Sequence, residues 1–216
     1  MLTTHQLTRK YQNFTAVDGI DLDIREGSIF GFLGHNGAGK TTTLSMLTTL
    51  LKPTSGSAEI DGIDVVKHSL KVREMIGYLP ENVRLYGELT VAENLMFFGK
   101  LSGLRHPEEN IKEVLKMLAF SEWTKAKVKT LSKGMLQRVG IAQAILHHPK
   151  VLILDEPTSG LDPQGTLDIR NILIRINAEW GTTVFMNTHL LSEVTKICTD
   201  VGIISHGKLL TAEPLS

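Results

Sequence analysis

The chain has 216 residues, 42% of them hydrophobic, and its 23 lysines and arginines balance 23 aspartates and glutamates to a formal net charge of zero. That balance excludes wrapping nucleic acid by bulk charge and leaves only a local basic patch for such a role. The one cysteine, Cys198, excludes an internal disulfide and a cysteine metal cluster; it suits a reducing compartment and reads as a small apolar filler.

The opening "MLTTHQLTRKYQNF" lacks the apolar centre of a signal peptide, and no later run approaches the roughly 20 apolar residues that span a bilayer. The expectation is a chain that is neither exported nor membrane-spanning, with any membrane role supplied through a partner. "LTTHQLTRKY" and "GIDLDIREG" alternate apolar and polar residues, as half-buried strands do. "SIFGFLG" is more continuously apolar and ends in glycine, as a buried strand would. "KTTTLSMLTTLL" follows with helical apolar spacing at Leu44, Leu47 and Leu51, and "PTSGSAEIDG" reads as turn, short strand and turn.

From about Leu89 to Leu146 helical patterns dominate, in "TVAENLMFFGKLSGL", "PEENIKEVLKMLAF" and "KGMLQRVGIAQAILHH". Pro107 suits a first helical turn, and Glu108 and Glu109 favour the helix dipole there. His147 and His148, before Pro149, read as a helix end, and Trp123 and Trp180 as packing residues. The remainder returns to alternation: "KVLILDE", "DPQGTLDIRNILIRINAEW", "TTVFMNTH", "LLSEVTKICT" and "DVGIISHGKLL". Buried strands alternating with helices predict an α/β core with a mainly parallel sheet, here interrupted by a helical insertion.

"FGFLGHNGAGKTT" is the most informative stretch. Gly34 to Thr41 fits GxxxxGK[ST], between an apolar strand and a helix. Glycines let the backbone curl until several N–H groups converge on phosphate oxygens, and the following helix points its positive end at the same place. Lys40 reaches the β and γ phosphates and the Thr41 hydroxyl ligates Mg²⁺. The loop Gly34, His35, Asn36, Gly37, Ala38 and Gly39, with Lys40, Thr41 and Thr42, is the expected nucleotide cradle. "VLILDEPTSGLDP" supplies the counterpart: an apolar strand ending in Asp155 and Glu156, at the sheet edge where open α/β sheets bind ligands. Asp155 can hold Mg²⁺ and Glu156 can orient or deprotonate an attacking water.

With these residues in hand, the chain resembles the nucleotide-binding subunit of an ABC transporter from Tyr11 to about Pro214. "LSKGMLQRVGIAQAIL" is similar to the family's LSGGQ signature, Ser159 to Asp162 to its D-loop, and His189 in "NTHLLSE" to its switch histidine. Tyr11 stands where the family places an aromatic that stacks on adenine. The resemblance implies a P-loop NTPase core with a mainly parallel sheet, an N-terminal antiparallel β subdomain and an inserted α-helical subdomain. Residues 1–80 and 150–216 would form the nucleotide-binding core and residues 81–149 the helical insertion with the signature. It further implies ATP and Mg²⁺ as ligands and head-to-tail pairing in a homodimer or heterodimer. Ser132 and Gly134 would touch the γ-phosphate held by the opposite subunit, Asp162 would join the two sites, and His189 would contact the γ-phosphate of its own subunit. Transmembrane permease subunits docked on the insertion would place the chain in the cytoplasm, peripheral on the inner face of the cell membrane, and no nucleic acid partner is expected.

Two departures accompany the resemblance. Glu81 takes the position of the family's usual glutamine in the loop leading to the insertion; a carboxylate, a harder and charged metal ligand, would either tighten metal binding or repel the γ-phosphate, and metal contact is expected to persist. Lys133 and Met135 replace a glycine and a glutamine of the signature, while Ser132 and Gly134 remain. The Glu81 loop and "LYGELTVAENL" resemble the drug- and polysaccharide-export branch, many of whose members carry a further C-terminal extension. The competing readings are a soluble ABC ATPase acting on nucleic acid or ribosomes, a non-hydrolysing nucleotide sensor, and a different P-loop enzyme such as a small-molecule kinase. Those resembling the first usually have two cores or long heptad arms. Intact Lys40, Asp155, Glu156 and His189 speak against the second, and the signature and D-loop against the third.

Overall fold

The computed structural model describes residues 1–215. Strands β1 (Leu2–Tyr11) and β2 (Phe14–Ile24) form a hairpin, β3 (Ile29–Leu33) runs towards α1 (Lys40–Leu47), and β4 (Ser55–Ile60), β5 (Ile63–Asp64), α2 (Ser69–Met75) and β6 (Ile76–Leu79) follow. Helices α3 (Val91–Leu101), α4 (Glu108–Met117) and α5 (Lys133–Ile145) come next in succession. The chain then alternates through β7 (Val151–Asp155), α6 (Pro163–Trp180), β8 (Thr183–Thr188), α7 (Leu191–Ile197), β9 (Asp200–Ser205) and β10 (Lys208–Pro214).

The strands make two sheets. The first is antiparallel, in the order β2-β1-β4-β5. The second has the order β10-β9-β3-β8-β7-β6 and is parallel except for the β9–β10 hairpin at one edge. This is the α/β architecture the alternation predicts. Successive residues of β7 face opposite sides of the sheet, as strand geometry requires. Val151 and Ile153 join a core with β1, β2 and α1, while Leu152 and Leu154 join one with α3, α4, α5 and α6.

Local chemistry fixes the helix ends. Thr90 and Glu93 form a reciprocal capping box at α3, with the Glu93 carboxylate accepting from the Thr90 amide at 2.7 Å. Pro107 stands at the N-cap of α4, one residue ahead of the first turn expected for it. Asp162 caps α6, Pro163 opens it, and Gly181 at φ 67° closes it in the left-handed conformation. His147 lies beyond the end of α5 and has a structural bond of its own: Nε2 donates to the Ile76 carbonyl at 3.0 Å. Trp180 is partly buried against the helical core, and Trp123 stacks on Phe120.

Parallel pairing brings four strand ends to one edge. Leu79 pairs with Leu154, Asp155 with Asn187, and Leu33 with Thr188. The loops after β3, β6, β7 and β8 therefore leave the sheet side by side.

Candidate functional site

The loop between β3 and α1 is built by close approach. A Cβ on Gly34 would lie 2.6 Å from the Ile204 carbonyl oxygen, and one on Gly39 2.5 Å from that of Ala16. Gly39 also has φ 109°, and it is the N-cap of α1 with no side chain over the helix end. The first amides of α1 thus face outward, unpartnered by any cap, which is the condition for receiving an anion. Lys40 is buried at 6% exposure. Its Nζ donates to the Gly34 carbonyl at 2.6 Å and the His35 carbonyl at 3.2 Å, and stands 3.8 Å from Glu156 Oε1. A cleft of about 530 Å³ opens here, and Asn36, Gly37, Gly39, Lys40, Thr41 and Thr42 form one wall. Ala38 is instead fully buried in the core. The exposed His35 ring meets His206 edge-on at 5.2 Å.

Glu81 and Glu156 also line the cleft, while Asp155 lies outside its lining and is joined to it through Asn187. Asp155 ends β7, is 4% exposed, and accepts a hydrogen bond from Asn187 Nδ2. Burial pushes its carboxyl above the usual range, and the like charges of Glu81 and Glu156 add to this; the Asn187 bond and the Lys40 charge oppose it. Glu156 has φ 50°, rare for a residue with a side chain, and its amide donates to the Asn187 carbonyl at 3.0 Å. The turn places its carboxylate between the Lys40 ammonium and the His189 ring. His189 Nδ1 lies 2.8 Å from Glu156 Oε2. Because an ionised carboxylate only accepts, Nδ1 carries the proton and Nε2 remains for another partner.

The residues suit a phosphate-bound divalent cation. Among the described residues no three His, Cys, Asp or Glu side chains come together closely enough to hold a metal by themselves. Magnesium seldom uses such a cage; it takes one or two carboxylates, keeps several waters and completes its shell with substrate phosphates. Asp155, with Thr41 and Glu81 on the cleft, meets that requirement, and the like charges around Asp155 gain from a cation.

Ser132, Gly134 and Asp162 do not reach this cleft. They line a second one of about 370 Å³, which the signature and D-loop segments share. Ser132 caps α5 by accepting from the Met135 amide at 3.3 Å, and Asp162 caps α6 by accepting from the Gly165 amide at 2.9 Å. The Lys133 ammonium lies over Gly160, 2.4 Å from where a Cβ would stand, so the signature substitution rests on its own D-loop.

Tyr11 is likewise outside the first cleft. It lies on an adjoining shallow depression, with the Arg9 guanidinium 4.6 Å from its ring centre. Phe14, 61% exposed, lines both the depression and the cleft. Sequence reasoning missed Phe14, although an aromatic left exposed at a hairpin was a readable signal. It also missed Asn187, for which a polar residue within the apolar run "TTVFMNTH" was the sign.

The family model described as ABC transporter matches residues 17–159. The bacitracin transport ATP-binding protein BcrA of Bacillus licheniformis is 43% identical over 99% of this chain and 70% of its own length. The linearmycin resistance ATP-binding protein LnrL of Bacillus subtilis (strain 168) is 40% identical over 97% of this chain and 68% of its own. A dimeric structure of a bacterial ABC transporter cassette superposes with a TM-score of 0.85 at 28% identity, covering 100% of this chain and 99% of that one.

Proposed function

The chain belongs to the ABC transporter ATP-binding family, and from that premise we propose that it is an ATPase whose Mg-ATP-driven, head-to-tail pairing powers export through separate transmembrane permease subunits. The observation that carries the reading is the Glu156 carboxylate, 3.8 Å from Lys40 Nζ and 2.8 Å from His189 Nδ1 on the wall of a glycine-built cleft.

ATP phosphates would draw Lys40 from the Gly34 and His35 carbonyls and meet the free amides at the start of α1. Thr41, Asp155 and Glu81 would hold the cation, which would supply charge neutralisation to the phosphates. Glu156 would take the proton of the attacking water, and His189, oriented through Nδ1, would direct Nε2 to the γ-phosphate. Tyr11 and Phe14 offer the exposed aromatic surface that a purine base would use. The second cleft, with Ser132, Gly134 and Asp162, closes over the nucleotide of the opposite subunit. A relative solved as a dimer supports this pairing.

Residues 1–80 and 150–216 act as the nucleotide-binding core and 81–149 as the helical insertion that docks the permease. Tyr86, Phe97 and Phe98 cluster there with ring centres 5.2–6.1 Å apart, and Tyr86 is 52% exposed. Solvent-facing aromatic clusters of this kind mark interaction surfaces. No helix among the described residues is long and apolar enough to cross a membrane, so the chain would sit on the inner face of the cell membrane through that contact. The bacitracin and linearmycin relatives support a drug-export role.

The test is sedimentation of Glu156→Gln with and without Mg-ATP. ATP converts monomer to dimer, and adding Ser132→Arg prevents it. A protein that binds ATP yet stays monomeric, or dimerises regardless of Ser132→Arg, would refute head-to-tail pairing through the second cleft.

A further inference from the structure

Asn187 connects Asp155 to Glu156, and no part of the nucleotide reading calls for it. It lies one residue before the end of β8, directly opposite Asp155 in register, and is 1% exposed on the cleft wall. Its carbonyl accepts from the Glu156 amide at 3.0 Å, while its side-chain Nδ2 donates to Asp155. One residue therefore tethers the metal-site acid through its side chain and the proposed base through its backbone.

With Nδ2 donating to Asp155, the amide oxygen faces away from that carboxyl. That oxygen, Oδ1, is buried and has no hydrogen-bond partner. Buried acceptors are nearly always paired, because desolvation without a replacement bond is costly. The preceding residues of β8, Phe185 and Met186, are fully buried and apolar, and an apolar side chain at 187 would have continued the pattern at no such cost. Asparagine at this position therefore serves the donor, Nδ2, that holds Asp155.

We infer that Asn187 is a positioning residue of the hydrolytic centre: Nδ2 sets the direction of the Asp155 carboxyl toward the divalent cation it would hold, while the backbone carbonyl anchors Glu156. The inference rests on the Mg-ATP reading above. Groups that orient metal ligands from one layer out typically change metal affinity by about 10- to 100-fold when removed.

The experiment compares wild type, Asn187→Thr and Asn187→Val. Thr and Val share a branched shape suited to a strand, and only Thr keeps a hydroxyl that donates and accepts. Free Mn²⁺ is counted by electron paramagnetic resonance in the presence of a non-hydrolysable ATP analogue, and binding of the analogue is measured separately without metal. The expected result is an Mn²⁺ affinity about tenfold or more weaker in Asn187→Val and within about threefold of wild type in Asn187→Thr. Metal-free analogue binding should be unchanged in all three. At saturating metal, kcat should fall in Asn187→Val while KM for ATP holds. Equal Mn²⁺ affinity in Val and Thr overturns the inference. So does a Val variant that fails to fold or loses metal-free binding too, since that assigns Asn187 to packing. If wild type binds neither analogue nor Mn²⁺, the Mg-ATP reading itself falls, which is distinguishable from the other outcomes.

Discussion

The buried ion pair between α6 and α7 offers a sharp test of the packing. Arg170 Nε donates to Glu193 Oε2 at 2.9 Å and Nη2 to Oε1 at 2.6 Å, with side-chain exposures of only 14% and 3%. Replacing Arg170 with leucine leaves the Glu193 carboxylate buried without its countercharge. Removing one partner of such a pair costs about 3–5 kcal/mol, the same range as two charge-assisted hydrogen bonds at about 1.5–3 kcal/mol each. Against a total stability of about 5–15 kcal/mol this is a large share. For a domain of this size each kcal/mol moves the melting temperature by about 2–4 °C, so Arg170→Leu should melt about 6–20 °C lower. Circular dichroism melts without nucleotide give the readout. The double variant Arg170→Leu with Glu193→Leu removes both charges and should recover most of the loss, because the desolvation cost disappears with the carboxylate. A single variant that melts within about 2 °C of wild type, below 1 kcal/mol by the same conversion, would refute the reasoning. So would a double variant no better than the single one.

Gly39→Ala puts a Cβ 2.5 Å from the Ala16 carbonyl at φ 109°, so the loop must shift at a cost of about 1–3 kcal/mol. Fluorescent-ATP titration should show affinity weakened by about tenfold, and an unchanged affinity would mean that the glycine is not holding the cradle. Gly27→Ala is the control, since φ is 71° there but nothing lies within 4 Å; it should leave ATP binding intact. Burial depresses His147 below the ordinary imidazole value of 6.5, the charge of His148 adds to this, and the bond to Ile76 opposes it. The unfolded chain therefore binds more protons than the native one as pH falls through 6.5, so acid in that window lowers stability. Melts at pH 7.5 and pH 5.5 should differ less in His147→Gln than in wild type. An equal difference would locate the acid sensitivity elsewhere.

Much of the architecture was readable because burial imposes period and punctuation on these segments. Val151 to Leu154 are four apolar residues in a row because β7 is covered on both faces. Asp162, Pro163 and Gly181 mark the ends of α6 by capping chemistry that needs no tertiary partner. Other features depended on contacts that spacing does not encode. Phe14 stands on the cleft because the β1–β2 hairpin folds over the loop after β3, bringing Ala16 against Gly39. Arg170 and Glu193 are 23 residues apart in sequence, and each by itself reads as a solvated charge on a helix.

Asp155 and Glu156 show the same limit at the centre of the site. In an extended strand, consecutive side chains leave opposite faces, so a straight β7 would send the second carboxylate away from the first. The left-handed backbone of Glu156, φ 50°, breaks that alternation and brings it between Lys40 and His189. Such a conformation costs a non-glycine residue about 1–2 kcal/mol. The Glu156 amide offsets part of it by donating to the carbonyl of Asn187 on the neighbouring strand. Glu156 thus reaches the cleft wall beside Asp155 in sequence because β8 supplies the anchor. The spacing of an Asp–Glu pair in sequence is therefore insufficient for this arrangement without a neighbouring strand in register.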